Sequence, residues 1–434
     1  MTTDKCINEL PAEVLGMVFF EFIEQGVAPA PVPGLRQRQR CPHPGRLSGV
    51  CRLWRVLVEG CPDLWSCIEA EVGGYAPMKI ESIRTRIQRA KQSPLALYIH
   101  CERQMILPSA MMITRDVVAL YGLIKGHRWR ALSIFNPDFL SPFEIIFRHI
   151  LDNPQMCRIS SFRMESSSPY FERNVEVART LAREALQQDL GITRLAIPMN
   201  LLDPSHPLLQ AVSYLQLLGG WSQRDVLSSI REASSLRSLR VDSILRGSED
   251  ESTPVTTLLE LEHLDLRNHQ KFPKLLMQKL DVPNIHTLKL SSIQCSSIKQ
   301  GDEQLRSLLE SVPWMARVKA FSLEDVGITE ETLLWMLRGL PLLEDLALSS
   351  AGRVSCKTTN ALSQPPTARR GWLCPRLEVI KFGECRPLQE RSVVALVRAR
   401  VRDIPNTTPD GVTEPNLLPP VRLRKVVWRG RDMV

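Results

Sequence analysis

A recurring six-residue pattern, apolar-x-x-apolar-x-apolar, begins at Trp129, Ile159, Ile192, Val212, Leu236, Leu261, Ile285, Val318, Leu343, Leu377 and Leu423. Leu261-Glu262-His263-Leu264-Asp265-Leu266 is one copy, and successive starts stand 30, 33, 20, 24, 25, 24, 33, 25, 34 and 46 residues apart. The last three positions alternate with the period of a strand, so two apolar side chains face one way and the residue between them faces the other. Between copies the period becomes helical. Ser222-Gln223-Arg224-Asp225 opens like a capping box, after which Val226, Ile230 and Ala233 share a face. Leu305, Leu308, Leu309 and Val312 repeat this, as do Leu333, Leu337 and Leu340. Pro283, Pro341 and Pro375 each stand two residues before a copy, where a ring that cannot continue a helix turns the chain back. Strand, helix and proline-marked return make one unit, and a unit this small buries its apolar face only against neighbours, so the units must stack.

These intervals resemble those of leucine-rich repeats, roughly 20 to 29 residues, with insertions lengthening several. The resemblance implies an α/β fold: an irregular leucine-rich-repeat-like solenoid over residues 126–434, preceded by a helical connector and first strand over 69–125. The Asn or Cys that ladders the loops of well-formed repeats is missing, with His269 standing near such a place. The alternative is a set of unrelated strand and helix pairs in an irregular α/β domain. In a stacked array the residue between the two inward side chains lines a recognition face: Ser133, Arg163, Ala196, Gln216, Arg240, Asp265, Lys289, Ser322, Ala347, Lys381 and Val427. Arg163, Gln216, Arg240, Asp265, Lys289, Ser322 and Lys381 are the candidate substrate contacts. Their mixed chemistry suits one specific protein surface better than a polyanion.

The amino-terminal region reads differently. Pro11 supplies a preset backbone angle for a first helical turn, and Leu10, Val14, Leu15, Val18, Phe19 and Phe22 then recur at helical steps, predicting a helix over about 11–23. Leu47, Val50, Cys51, Trp54, Leu57 and Val58 repeat the pattern on a helix over about 46–59, ended by Gly60 and Pro62. Between them, residues 26–45 carry five prolines together with Arg36, Arg38 and Arg40, a composition that favours solvated chain. A segment of some 60 residues cannot bury two apolar stripes alone, which argues for a partner.

Leu10-Pro11, Glu13-Val14-Leu15 running to Phe19, Val50-Cys51-Arg52-Leu53-Trp54-Arg55 and Pro62-Asp63-Leu64-Trp65 together resemble the F-box of the large families found in mushroom-forming fungi. The proline-rich insert is longer than that family's usual link. The resemblance implies an F-box over residues 1–68 that docks on a Skp-type adaptor, and through it a cullin, by Leu10, Pro11, Val14, Leu15, Val18, Phe19, Leu47, Val50, Cys51, Trp54, Leu57, Leu64 and Trp65. It further implies a substrate-recognition subunit of a ubiquitin ligase, with an unknown protein target on the repeats. A non-ligase scaffold or tether is the alternative.

Composition bounds the rest. No run of 18 uncharged apolar residues occurs, and Met1-Thr2-Thr3-Asp4-Lys5 lacks the order of a signal peptide, so an intracellular protein, cytoplasmic or nuclear, is expected. Eleven cysteines without a Cys-x-x-Cys pair read as reduced thiols, and neither Cys41, His43 and Cys51 nor Cys356, Cys374 and Cys385 have zinc spacing. No phosphate loop, His-Glu-x-x-His or Gly-x-Ser-x-Gly is present, so catalytic residues, metal, cofactor and small-molecule ligand are not expected. The net charge of +8 gathers partly in Arg422, Arg424, Lys425, Arg429 and Arg431 around Trp428. Apolar alternation there marks a strand, which makes nucleic acid the weaker reading.

Overall fold

A computed structural model describes residues 7, 10–25, 44–74, 78–101, 110–135, 141–165, 176–188, 190–198, 206–244, 254–269, 273–293, 297–350, 354–364, 372–385, 387–401 and 421–433. The chain forms two compact units, Met1–Leu202 and Asp203–Val434. Each is an α/β body on an open, largely parallel sheet. Among the described residues no helix is long and apolar enough to cross a membrane.

The first unit opens with α1 (Ala12–Gln25), α2 (Pro44–Ser48) and α3 (Arg52–Gly60). The single helix expected over 46–59 is thus two. Gly49 and Val50 interrupt it, and Cys51, extended at φ −156°, caps α3 by accepting the Trp54 N–H on Sγ at 3.5 Å. Sulfur is a weak acceptor, so the sequence gives little warning of this cap. Pro44 and Gly45, expected in the proline-rich loop, begin α2 instead. Residues 26–43, with Arg36, Arg38 and Arg40, lie outside the described residues.

Strands and helices then alternate: β1 (Cys67–Val72), α4 (Ile80–Ala90), β2 (Leu95–Cys101), α5 (Ala110–Ile124), β3 (Trp129–Phe135), α6 (Glu144–Asp152), β4 (Ser161–Glu165), α7 (Glu176–Gln187) and β5 (Arg194–Pro198). The five strands pair in parallel in chain order. Residues 69–125 hold two strands where one was expected. The repeat is disguised there as Trp65-x-x-Ile68-x-Ala70, with a small closing residue, and as Pro94-x-x-Leu97-x-Ile99, with a proline lead. Ile68, Ala70, Leu97 and Ile99 are all buried, so the series starts at Trp65, inside the stretch that resembles an F-box.

The second unit holds β6 (Tyr214–Trp221), α8 (Gln223–Glu232), β7 (Ser238–Ile244), β8 (Thr256–Thr257), β9 (His263–Arg267), α9 (Lys274–Gln278), β10 (Leu280–Asp281), β11 (Thr287–Ser291), α10 (Ile298–Ser311), β12 (Ala320–Glu324), α11 (Glu330–Arg338), β13 (Asp345–Ser349), α12 (Cys356–Ser363), β14 (Val379–Phe382), α13 (Glu390–Val401), β15 (Lys425–Trp428) and β16 (Arg431–Asp432). Eight strands run parallel in the order β6-β7-β9-β11-β12-β13-β14-β15, and β16 folds back antiparallel on β15. The short β8 and β10 pair with each other. Across both units every one of the eleven sequence patterns coincides with a strand.

Two backbone devices recur in the second unit and hold its register. The carbonyl one residue after each pattern's lead accepts two N–H groups from the start of the next strand: Ser213 O from Arg237 and Ser238, Arg237 O from Glu262 and His263, Glu262 O from His286 and Thr287, and so on through Glu378 O, which accepts from Arg424 and Lys425. Seven residues after the lead the chain turns through the left-handed region, at Gly219, Ser243, Asn268, Ser292, Asp325, Ser350 and Gly430. Asn268, Ser292 and Asp325 each donate their N–H to the last carbonyl of the next strand, Ser291, Glu324 and Ser349. Gly, Asn, Asp and Ser recur because they carry little or local-bonding side-chain bulk where φ is positive.

Side chains tie consecutive helices together as well. Gln223 Oε1 of α8 accepts the Leu276 N–H of α9 at 2.9 Å, and Asp302 of α10 accepts both the Thr329 N–H and hydroxyl at 2.8 Å, at the start of α11. Glu330 of α11 accepts from Ser355 N and Oγ and from Thr358 N and Oγ1, at 2.6 to 3.0 Å, capping α12. Burial would raise the Glu330 carboxyl pKa, but the bonds from Thr358 and Ser355 outweigh it and hold it below the usual carboxylate value.

Candidate docking surface on the amino-terminal helices

Helix α1 is apolar around most of its circumference. Leu15, Phe19 and Ile23, one turn apart, lie within about 80° of each other and are buried. Phe22, Val18 and Val14 continue the apolar arc around the helix, and Met17 lies further round. Met17 is 64% and Phe22 50% exposed. On the facing element, Leu47 and Val58 are buried while Val50 is 59% and Val56 62% exposed, with Leu53 also exposed. The two are held together by the Phe19 and Trp54 rings, whose centroids stand 4.6 Å apart at 55°.

This helix group is anchored to the first sheet. Trp65 is buried, donates Nε1–H to Val58 O at 2.8 Å and carries the Arg89 guanidinium over its ring at 4.3 Å. Arg130 of β3 lies over Phe20 of α1 at 5.2 Å. Arg86 of α4 donates Nη1–H to Cys67 O at 3.0 Å. With this support the outer arc of α1 and the outer side of α3 are exposed among the described residues. Among the described residues fourteen large apolar side chains are exposed; eight of them lie within residues 7–56, so the apolar surface is local to this end.

The expected adaptor contacts therefore divide. Leu10, Pro11, Val18 and Val50 are exposed, and Val14, Cys51, Trp54 and Leu57 are half-buried. Leu15, Phe19, Leu47, Leu64 and Trp65 are buried within the chain and support the surface without lining it, which corrects their expected role as contacts. Met17, Leu53 and Val56 were absent from the expected set, and Phe22 stood in the stripe without being assigned a contact. Periodicity predicts one apolar stripe where α1 has two adjacent ones, an inner third and an outer third.

The strand-face candidates also divide. Gln216, expected to face solvent, is 0% exposed; its Nε2–H donates to Asp242 Oδ2 at 2.7 Å, and it accepts from Tyr214 OH at 3.2 Å. Ser133 and Ala196 are buried too. The charged candidates are paired within the face. Arg163 meets Glu165, Arg240 meets Asp242 at 3.0 Å, Asp265 meets Arg267 at 2.6 Å, Lys289 meets Glu324 at 3.2 Å and Lys381 meets Asp345 at 2.8 Å. Burial raises the Asp242 carboxyl pKa despite Arg240 beside it. Ser322 is half-buried, and Lys381 remains the most accessible of the set. Each pair offsets the charge of the candidate side chain and restrains it.

Among the described residues no three His, Cys, Asp or Glu side chains converge to hold a metal ion. No known protein-family model matches this chain, and no curated protein is significantly similar to it.

Proposed function

We propose that this chain is an F-box substrate receptor: α1 and α3 dock on a Skp-type adaptor, and the strand-and-helix series presents a protein target for ubiquitination. The observation that carries the reading is the exposure, among the described residues, of Met17, Val18 and Phe22 on α1 and of Val50, Leu53 and Val56 at and before α3, in a region whose sequence resembles an F-box. Large apolar side chains exposed together in one region mark interaction sites. The repeat pattern of the remaining chain supports stacked units with a target-binding face. Such a receptor performs no bond chemistry; it supplies proximity between a substrate lysine and a thioester carried by another protein.

Calorimetry with purified Skp-type adaptor and the full chain tests docking, and co-purification with cullin tests ligase assembly. Binding to adaptor with cullin in the complex is the expected result. Adaptor without cullin would favour the scaffold reading, and no adaptor binding would overturn both.

A further inference from the structure

A cavity of about 420 Å³ lies among the helices of the second unit, away from the strand face. It is formed by the last turn of α10, the single short helical turn Pro313–Arg317 that follows, and the last turn of α11. The deepest part of its lining is apolar: Val312, Met315 and Met336 are at most 4% exposed. Leu309 and Trp335, both half-buried, add apolar walls. Two exposed charged residues complete the lining, Glu310 and Arg338. Among the described residues neither side chain forms an ion pair or a hydrogen bond, so opposite charges border one cavity without pairing with each other. Helix stability accounts for Arg338, whose charge suits the carboxyl end of α11. It does not account for Glu310, a carboxylate in the last turn of α10, where the helix dipole disfavours it.

We propose that this cavity binds a free amino acid with a large apolar side chain. Sites for small molecules commonly enclose about 300 to 1,000 Å³, with mostly apolar walls and a few polar groups that fix orientation. A cavity at the lower end of that range suits a compact ligand. The apolar side chain packs against Val312, Met315 and Trp335, the ammonium group meets Glu310, and the carboxylate meets Arg338. A ligand lacking either charge would cover one of these groups without pairing it, which costs free energy. The sequence leads to no expectation of a small-molecule ligand because such a site carries no motif; its walls come from three separate elements. The proposal goes beyond the receptor reading and does not rest on it.

The test is calorimetry of the full chain with leucine, phenylalanine and tryptophan at millimolar concentration, beside phenethylamine, phenylpropionate and N-acetyl-phenylalaninamide. The free amino acids should bind more tightly than the three analogues. Ala316→Trp, which fills the cavity from an exposed lining position, should weaken phenylalanine binding about tenfold or more. Glu310→Gln and Arg338→Gln should each weaken it about two- to fivefold, as exposed charge pairs do. Phenylalanine should lose its advantage over phenylpropionate in Glu310→Gln, and over phenethylamine in Arg338→Gln. Circular dichroism establishes that the variants are folded. No binding of any of the three amino acids by the folded chain, or undiminished binding in Ala316→Trp, would overturn the proposal. So would binding of N-acetyl-phenylalaninamide as tight as that of phenylalanine, which would make the cavity a seat for a side chain of a protein partner. Adaptor binding is measured on the same preparations, and its failure would count against the receptor reading alone.

Discussion

The outer arc of α1 and the strands of the second unit are both rich in large apolar residues, yet they use them in opposite ways. In the second unit the inward positions of every main strand are sealed: Leu264 and Leu266, Leu288 and Leu290, Phe321 and Leu323, Leu346 and Leu348 are all at most 1% exposed. On α1 and α3, side chains of the same size stand in solvent. Neighbouring units explain the first case, since each strand's apolar face is closed by the helices and strands flanking it. Phe19, Trp54, the Trp65 region and Arg130 close one side of the amino-terminal helices, and among the described residues the other side is exposed. Apolar content alone therefore separates nothing here; what separates the regions is whether the described residues supply cover.

The sharpest way to break this comparison is to remove a sealed side chain. Phe321→Ala should cost about 3 to 5 kcal/mol in urea denaturation of the full chain, because a cavity adds to the lost transfer energy. A cost below about 1 kcal/mol would mean the strand interior is loosely packed. Acid probes the same sealed region next. Burial drops the His269 pKa from 6.5 to about 4, so the unfolded chain takes up its proton first. Stability from this site is full above pH 6.5 and falls as pH drops toward 4, by on the order of 3 kcal/mol. A His269→Asn variant should lack that part of the pH dependence.

Smaller still is the inter-helix cap. Glu330→Gln should cost about 2 kcal/mol at neutral pH, because hydrogen bonds to a charged acceptor are the stronger kind. Since the carboxyl pKa is lowered in the folded chain, its contribution is present above the ordinary carboxylate value and is lost as pH falls through the folded one. The variant should therefore show a flatter acid limb than the wild type. The smallest effect is expected on the open surface: Phe22→Ser and Val56→Ser should each change stability by no more than about 0.5 kcal/mol. A large loss there would mean these side chains are covered after all.

Much of this was legible in the sequence, and the failures have physical causes. Strand placement was readable from Trp129 onward because two apolar residues at strand period, followed by a helical stretch, leave few alternatives. β1 and β2 escaped because Ala70 is small and Pro94 occupies the lead position. The recurring left-handed turn stands at Gly219, Ser243, Asn268, Ser292, Asp325, Ser350 and Gly430, seven residues after seven of the eight leads in the second unit, where the pattern of an Asn or Cys ladder does not reveal it. Residue type alone hid it, since Gly, Ser, Asn and Asp serve the same backbone need. The exposed apolar surface was half readable. Periodicity identified α1 as an apolar helix, but a helix apolar over two thirds of its surface does not reveal which third faces inward. That is decided by Phe19 meeting Trp54, a contact between residues far apart in sequence. Gln216 fails for a related reason: strand alternation gives its side, and its cover comes from tertiary packing.

The central claim is that the open arc of α1 and α3 is the adaptor-binding surface, and calorimetry with purified Skp-type adaptor measures it most directly. The wild-type chain should bind, and Met17→Ser/Phe22→Ser/Val56→Ser should lose about a hundredfold or more in affinity at unchanged folding stability, because a few exposed apolar anchors commonly carry an interface. Val255→Ser/Leu259→Ser, equally exposed apolar residues in the second unit, should bind as the wild type does. Wild-type affinity in the first variant, or no binding by the folded wild-type chain, would contradict the account.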